Sequence, residues 1–147
     1  MFIVNVEGAI FKDDKWLLIE RSVKEEHAGG LLSFVGGKVE NTGDSPNILE
    51  STLKREILEE VGIHIKEIVH YAGSSSFTVD TGINVINIVF LCEYLAGEPY
   101  AKSPDEVESI HWMTKDEVMD HVKTPIWLKE NMELVASVKS KIESKTK

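Results

Sequence analysis

Apolar and polar residues alternate along positions 2–12, break at Asp13-Asp14, and resume in Trp16-Leu17-Leu18-Ile19-Glu20-Arg21. A two-residue period on both sides of a turn predicts a β-hairpin, with Arg21 emerging at its end. Positions 22–30 are polar and hold His27-Ala28-Gly29-Gly30, a composition that predicts a loop of the kind that often meets ligands. Leu31-Leu32-Ser33-Phe34-Val35 predicts a short strand running into Gly36-Gly37, where the missing Cβ atoms allow close backbone approach. The period then lengthens. Leu53, Ile57 and Val61 recur every four residues, as on one face of a helix, and Gly62 is placed to stop that helix. Asn47-Ile48-Leu49-Glu50 predicts a capping box at its start, with Ser45-Pro46 as a rival start.

Positions 63–71 predict a strand that Gly73-Ser74-Ser75-Ser76-Phe77 continues past a bulge, and Asp80-Thr81-Gly82 predicts the turn back. In positions 83–95, Ile86, Ile88, Phe90, Cys92 and Tyr94 share one face while Val85, Val89 and Leu91 share the other. A strand apolar on both faces is central in a sheet covered by helices on both sides, so an α/β fold, an α/β/α sandwich, is expected. Positions 107–112 predict a short edge strand, and Thr114-Lys115-Asp116-Glu117 predicts a capped helix start. Positions 125–145 predict a terminal helix. Its apolar stripe of Ile126, Trp127, Leu128, Met132, Val135, Val138 and Ile142 reads as packing, with stacking of Trp127 or Tyr100 on a nucleobase as the alternative.

Length and composition narrow the range of functions. The 147 residues contain no linker, repeat or low-complexity tract, and a single domain over residues 1–147 is expected. A formal charge of −9 and a pI near 5.0 argue against a nucleic-acid-binding surface, while leaving room for a local basic pocket. No segment approaches the roughly 18 apolar residues of a membrane span, and the start of the chain lacks a signal-peptide pattern, so a cytoplasmic location is the expectation. Cys92 is the only cysteine and reads as a buried thiol. The histidines at 27, 64, 70, 111 and 121 show no metal spacing and receive no role.

Candidate chemistry lies at the end of the first helix. With about 100° between successive residues, Glu56, Glu59 and Glu60 fall within one arc, beside the arc of Leu53, Ile57 and Val61. The carboxyl end of a helix carries partial negative charge and disfavours carboxylates, so three acids just before Gly62 need a positive partner beyond Arg55. A hard divalent cation with oxygen ligands, Mg²⁺ or Mn²⁺, suits them.

Arg55-Glu56-Ile57-Leu58-Glu59-Glu60-Val61-Gly62-Ile63 resembles the core of the Nudix box, R-E-U-x-E-E-x-G-U with U a bulky aliphatic, at every defined position. Gly36-Gly37-Lys38-Val39-Glu40 resembles the glycine-rich opening of the same box. Between the two pieces the pattern departs. Asn47 stands where the family has its first box glutamate, and Gly37 lies four residues too far upstream, with Asp44 as an ill-spaced stand-in for that glutamate.

The resemblance implies a Nudix-type α/β/α sandwich with a mixed central sheet, and Mg²⁺-dependent hydrolysis of the diphosphate linkage in a nucleoside diphosphate joined to another moiety. By the same resemblance Glu56, Glu59 and Glu60 correspond to metal ligands, with the Gly37 carbonyl as an additional one. Glu56 and Glu60 would be the principal ligands, Glu59 a further ligand or the water activator, and Arg55 would hold a carboxylate in place. An acidic residue of the loop before the 107–112 strand often adds a ligand or general base in the family; Glu106 is the first candidate and Asp105 the second. Arg21 and Phe34 occupy positions expected near the substrate. The implied partner is a small nucleotide, and a homodimer is compatible with the family. The rival reading, favoured by Asn47 and the stretched loop, is a Nudix-like module that senses a nucleotide without cleaving it.

Overall fold

The computed structural model describes residues 1–25 and 27–145. The strands are β1 (Phe2–Lys12), β2 (Lys15–Arg21), β3 (Leu32–Ser33), β4 (Val35–Lys38), β5 (His64–Ile65), β6 (His70–Thr78), β7 (Asn84–Ala96) and β8 (Val107–Thr114). The helices are α1 (Ile48–Val61), α2 (Lys115–Asp120) and α3 (Ile126–Lys145). β1 runs parallel to β7 over ten residue pairs, from Phe2↔Asn84 to Phe11↔Glu93, and antiparallel to β4, while β6 pairs antiparallel with the far side of β7. The sheet is therefore mixed, with β7 central, as its two apolar faces predict.

Helices cover both faces of the sheet. Leu53, Ile57 and Val61 of α1 pack with Val6, Ile10, Phe90 and Cys92, and Leu128, Met132 and Val135 of α3 pack with Ala9, Val89 and Leu91 on the opposite face. This is the expected α/β/α sandwich. Cys92 is buried, and burial pushes its thiol up to about 12. No helix among the described residues is long and apolar enough to cross a membrane.

Four local expectations change. The β1–β2 hairpin pairs only at its tip, Phe11↔Trp16 and Lys12↔Lys15. Beyond it β1 turns to β4 and β7, while β2 pairs with β8, because each strand buries more apolar surface in the sheet than in a two-stranded ribbon. Asn47 does cap α1, but in the left-handed region at φ 53°, and its side chain makes no capping bond; its carbonyl instead accepts from the Ser51 N–H and hydroxyl. The strand expected over positions 63–71 is split into β5 and the start of β6, with the bulge falling at Tyr71/Gly73. The stripe on α3 is buried at Leu128, Met132 and Val135 and half-buried at Val138 and Ile142, and Ile126 and Trp127 are exposed. At α2 the capping box forms as predicted, with Thr114 and Glu117 each accepting from the other's backbone N–H.

Candidate active site

Burial of one face of α1 dictates where its acids point. With Leu53, Ile57 and Val61 fixed in the core, Glu56 and Glu60 are directed at β4 and at the loop leading into β8. Gly37 of β4 lies against Glu56 so closely that an added Cβ would stand 2.5 Å from its Oε2, so a side chain at this position would have to push the Glu56 carboxylate aside. The loop is bound across the end of the helix. The Tyr100 N–H donates to the Val61 carbonyl at 3.1 Å and the Lys102 N–H to the Glu60 carbonyl at 3.0 Å, and these bonds satisfy helix-end carbonyls that would otherwise lack partners. Glu106, four residues farther along, is thereby delivered to the Glu60 side chain.

Electrostatics at this point are unfavourable without a cation. Glu60 is 7% exposed and its Oε2 is buried without a hydrogen-bond partner. Burial first, then the hydrogen bond shared with Glu106 and the charges of Glu106 and Glu56, push its carboxyl up to about 9, against a lowering by Arg21. Glu56 is also raised, chiefly by burial, although Arg55 works the other way. Arg55 lies 3.2 Å from both Glu56 and Glu59 and braces the first against the second. Glu59 is thus turned toward Arg55 and solvent. The carboxylates whose charges act on Glu60 are those of Glu56 and Glu106, rather than that of Glu59.

Among the described residues, no three acidic, histidine or cysteine side chains converge as a ready-made metal cage. The donor set nonetheless fits a hard divalent cation. An orphaned buried carboxylate oxygen, two neighbouring carboxylates and a closely approaching glycine backbone offer oxygen donors, and the pairing of Arg55 with Glu56 leaves the Glu60 oxygen without a partner. Mg²⁺ needs few protein ligands because it keeps several waters.

Other expected site residues divide. Arg21 faces the cluster: its charge acts on both Glu60 and Glu7, its Nε donates to the His27 carbonyl at 3.1 Å, and it pairs with Glu25 at 3.4 Å. Asp105 is turned away to Lys24. Phe34 is 2% exposed and belongs to the core beneath α3, so as placed it offers almost no surface to a ligand; a short strand between β2 and the glycines carries it inward. Sequence reasoning passed over Asn5, Glu7 and Asn87. Asn5 Nδ2 donates to Asn87 Oδ1 at 2.8 Å and Asn87 Nδ2 to Glu7 Oε1 at 2.9 Å, a polar chain on the α3 face of the sheet. Asn5 and Glu7 sit two apart on β1, and that interruption of an apolar face was the available signal.

The family model described as NUDIX domain matches residues 1–134. An ADP-ribose pyrophosphatase of Methanocaldococcus jannaschii is 38% identical over 95 residues, which cover 65% of this chain and 53% of that protein; the chain thus matches about half the length of this curated relative. The crystal structure of a MutT NUDIX hydrolase from Burkholderia pseudomallei superposes with a TM-score of 0.78 at 26% identity, covering 92% of this chain and 98% of that one. The NUDIX domain of Shewanella oneidensis NrtR, in a structure complexed with ADP ribose, shares the fold at a TM-score of 0.72 and 16% identity, covering 97% and 89%. With the family model matching residues 1–134, nearly the whole chain, this chain belongs to the NUDIX domain family.

Proposed function

We propose that the protein is a pyrophosphohydrolase that cleaves the diphosphate linkage of a nucleoside diphosphate joined to another moiety, in dependence on Mg²⁺ or Mn²⁺. The observation that carries this reading is the Glu60 carboxylate, buried with one oxygen unpartnered and crowded by Glu56 and Glu106. Glu56 and Glu60, with the Gly37 carbonyl, would hold the metal, and Glu59 would join them on leaving Arg55 or would activate water. When bound, the cation screens phosphate charge and lowers the pKa of a bound water. Arg55 fixes Glu56 through its planar fork. Glu106, beside Glu60, would accept a proton from the attacking water once the cation holds Glu60 as its carboxylate. Arg21, at the rim, offers a cation to a phosphate oxygen.

The name of the M. jannaschii relative and the ADP ribose held by the NrtR domain favour nucleotide diphosphates of the ADP-ribose kind as first substrates to try. Residues 1–147 would act as one domain in the cytoplasm, where such nucleotides and Mg²⁺ occur together. Incubation with Mg²⁺ and a panel of nucleoside di- and triphosphate derivatives, read by chromatographic detection of the nucleoside monophosphate formed, tests this. Cleavage of at least one member, abolished by EDTA, is expected. Tight binding with no cleavage of any member would replace the enzyme by a sensing module.

A further inference from the structure

The stretched loop between Gly37 and α1, the one departure of this chain from the family spacing, forms the wall of a cavity. β4 pairs with β1 only between Gly8 and Asn5, and after one more bond, from the Val39 N–H to the Val4 carbonyl at 2.8 Å, the chain leaves the sheet. The β1 edge at Ile3 therefore borders open space instead of a strand, and between it and residues 41–45 lies a cavity of about 480 Å³. Small-molecule sites run from roughly 300 to 1,000 Å³. The floor is apolar, made by Phe2, Val4 and Ile48, while the wall is polar, with Asn41, Thr42 and Ser45. The Thr42 and Ser45 hydroxyls stand 3.3 Å apart on this exposed loop.

The cavity adjoins the carboxylates. It begins at Lys38, the residue after the glycine that lies against Glu56, and it includes Glu40, whose charge acts on the Arg55 that braces Glu56. A strand advances about 3.3 Å per residue, so one end of the cavity is a residue or two from where a diphosphate on Glu56 and Gly37 would lie.

Charge and shape select the occupant. Lys38 and Glu40 offset one another, so a further phosphate gains no net attraction there, and a nucleobase would find a single aromatic ring, Phe2. A sugar suits both surfaces: its C–H face packs on apolar side chains, and its hydroxyls pair with side-chain hydroxyls and an amide, which donate and accept.

We infer that this cavity holds the second moiety of the substrate and that this moiety is a sugar, its ring against Phe2 and Val4 and its hydroxyls bonded to Asn41, Thr42 and Ser45. The inference rests on the pyrophosphohydrolase reading above and narrows its substrate class to nucleoside diphosphate sugars. It also gives the stretched loop a role in substrate choice.

The test is calorimetric binding, with Mg²⁺ present, of two analogues whose P–C–P bridge is not cleaved, α,β-methylene ADP-ribose and α,β-methylene ADP. They share the nucleoside and differ in the sugar. The wild type is compared with the double variant Thr42→Val/Ser45→Ala and with a deletion of residues 41–44 that restores the family spacing, each checked for folding by circular dichroism melts. The wild type should bind the sugar-linked analogue about tenfold or more tighter than the ADP analogue, the size of two or more hydrogen bonds. Both variants should raise the Kd of the sugar-linked analogue by about fivefold or more and leave that of the ADP analogue within about twofold. A loop that merely supports the fold would shift both analogues alike. No preference for the sugar-linked analogue in the wild type, no binding of it, an equal loss for both analogues in the variants, or unchanged binding in the double variant would each overturn the sugar site. Hydrolysis of ADP-ribose separates the two readings. Turnover with unchanged KM in the double variant sinks the sugar site alone, while loop-dependent, sugar-selective binding without turnover sinks the hydrolase alone.

Discussion

Glu60 carries two opposed demands, and a single substitution separates them. As a carboxylate it is costly to bury beside Glu56 and Glu106; as a metal ligand it has to be that carboxylate. Glu60→Gln keeps the size and removes the charge. The Mg²⁺-dependent turnover of the variant should fall by about 10²–10⁴-fold, while its metal-free melting temperature at pH 8 should rise above that of the wild type. Near-normal turnover would refute the assignment, and a lower melting temperature would refute the electrostatic account. Arg55 illustrates the same economy on the surface, since by bracing Glu56 and Glu59 together it keeps the first near Gly37.

At the level of elements, the end of α1 is the joint on which the site depends. Gly62 adopts φ 72°, its N–H donates to the Leu58 carbonyl at 3.1 Å, and a Cβ there would stand 2.6 Å from the Tyr100 ring. The left-handed residue turns the chain into β5 and leaves the last helix carbonyls open to the Tyr100 and Lys102 amides, which set the loop that delivers Glu106. Gly62→Ala is expected to destabilise the protein by about 1–3 kcal/mol in urea denaturation. It should also lower turnover, because the displaced loop carries Glu106. A variant as stable as the wild type would show that the turn is not strained by a side chain.

Across the whole molecule, raised carboxyl groups link folding to pH and metal. Glu60 moves from 4.5 to about 9 on folding, and Glu56 and Glu7 move in the same direction, each mainly through burial. Between those values the folded chain holds more protons than the unfolded one, so unfolding free energy falls as pH rises. The contribution of Glu60 is complete below pH 4.5 and is lost as pH climbs through about 9. The metal-free protein should therefore melt at progressively lower temperature from pH 5 to pH 9, other groups being equal. A divalent cation binds the deprotonated carboxylates, so the rise in melting temperature on adding Mg²⁺ should be larger at pH 8.5 than at pH 5.5. Thermal melts at the two pH values decide it, and a shift as large at pH 5.5 would rule out these carboxylates as the binding groups.

What the chain alone determined was everything written in local periodicity. β7 is central because Val85, Val89 and Leu91 alternate with Ile86, Ile88 and Phe90, α1 ends where only Gly62 can turn, and Glu56 and Glu60 flank the buried arc of Leu53, Ile57 and Val61. Those features follow from the 2.0 and 3.6 residue repeats and need no distant partner. Tertiary structure decided which groups meet from far apart in sequence. It set Glu106 rather than Glu59 against Glu60, took Phe34 into the core, and put His27, Phe77 and Trp127 in one stack. Those contacts depend on how strands are ordered and how loops are tied across them, and side-chain periodicity within a single element carries no information about which other element will lie beside it.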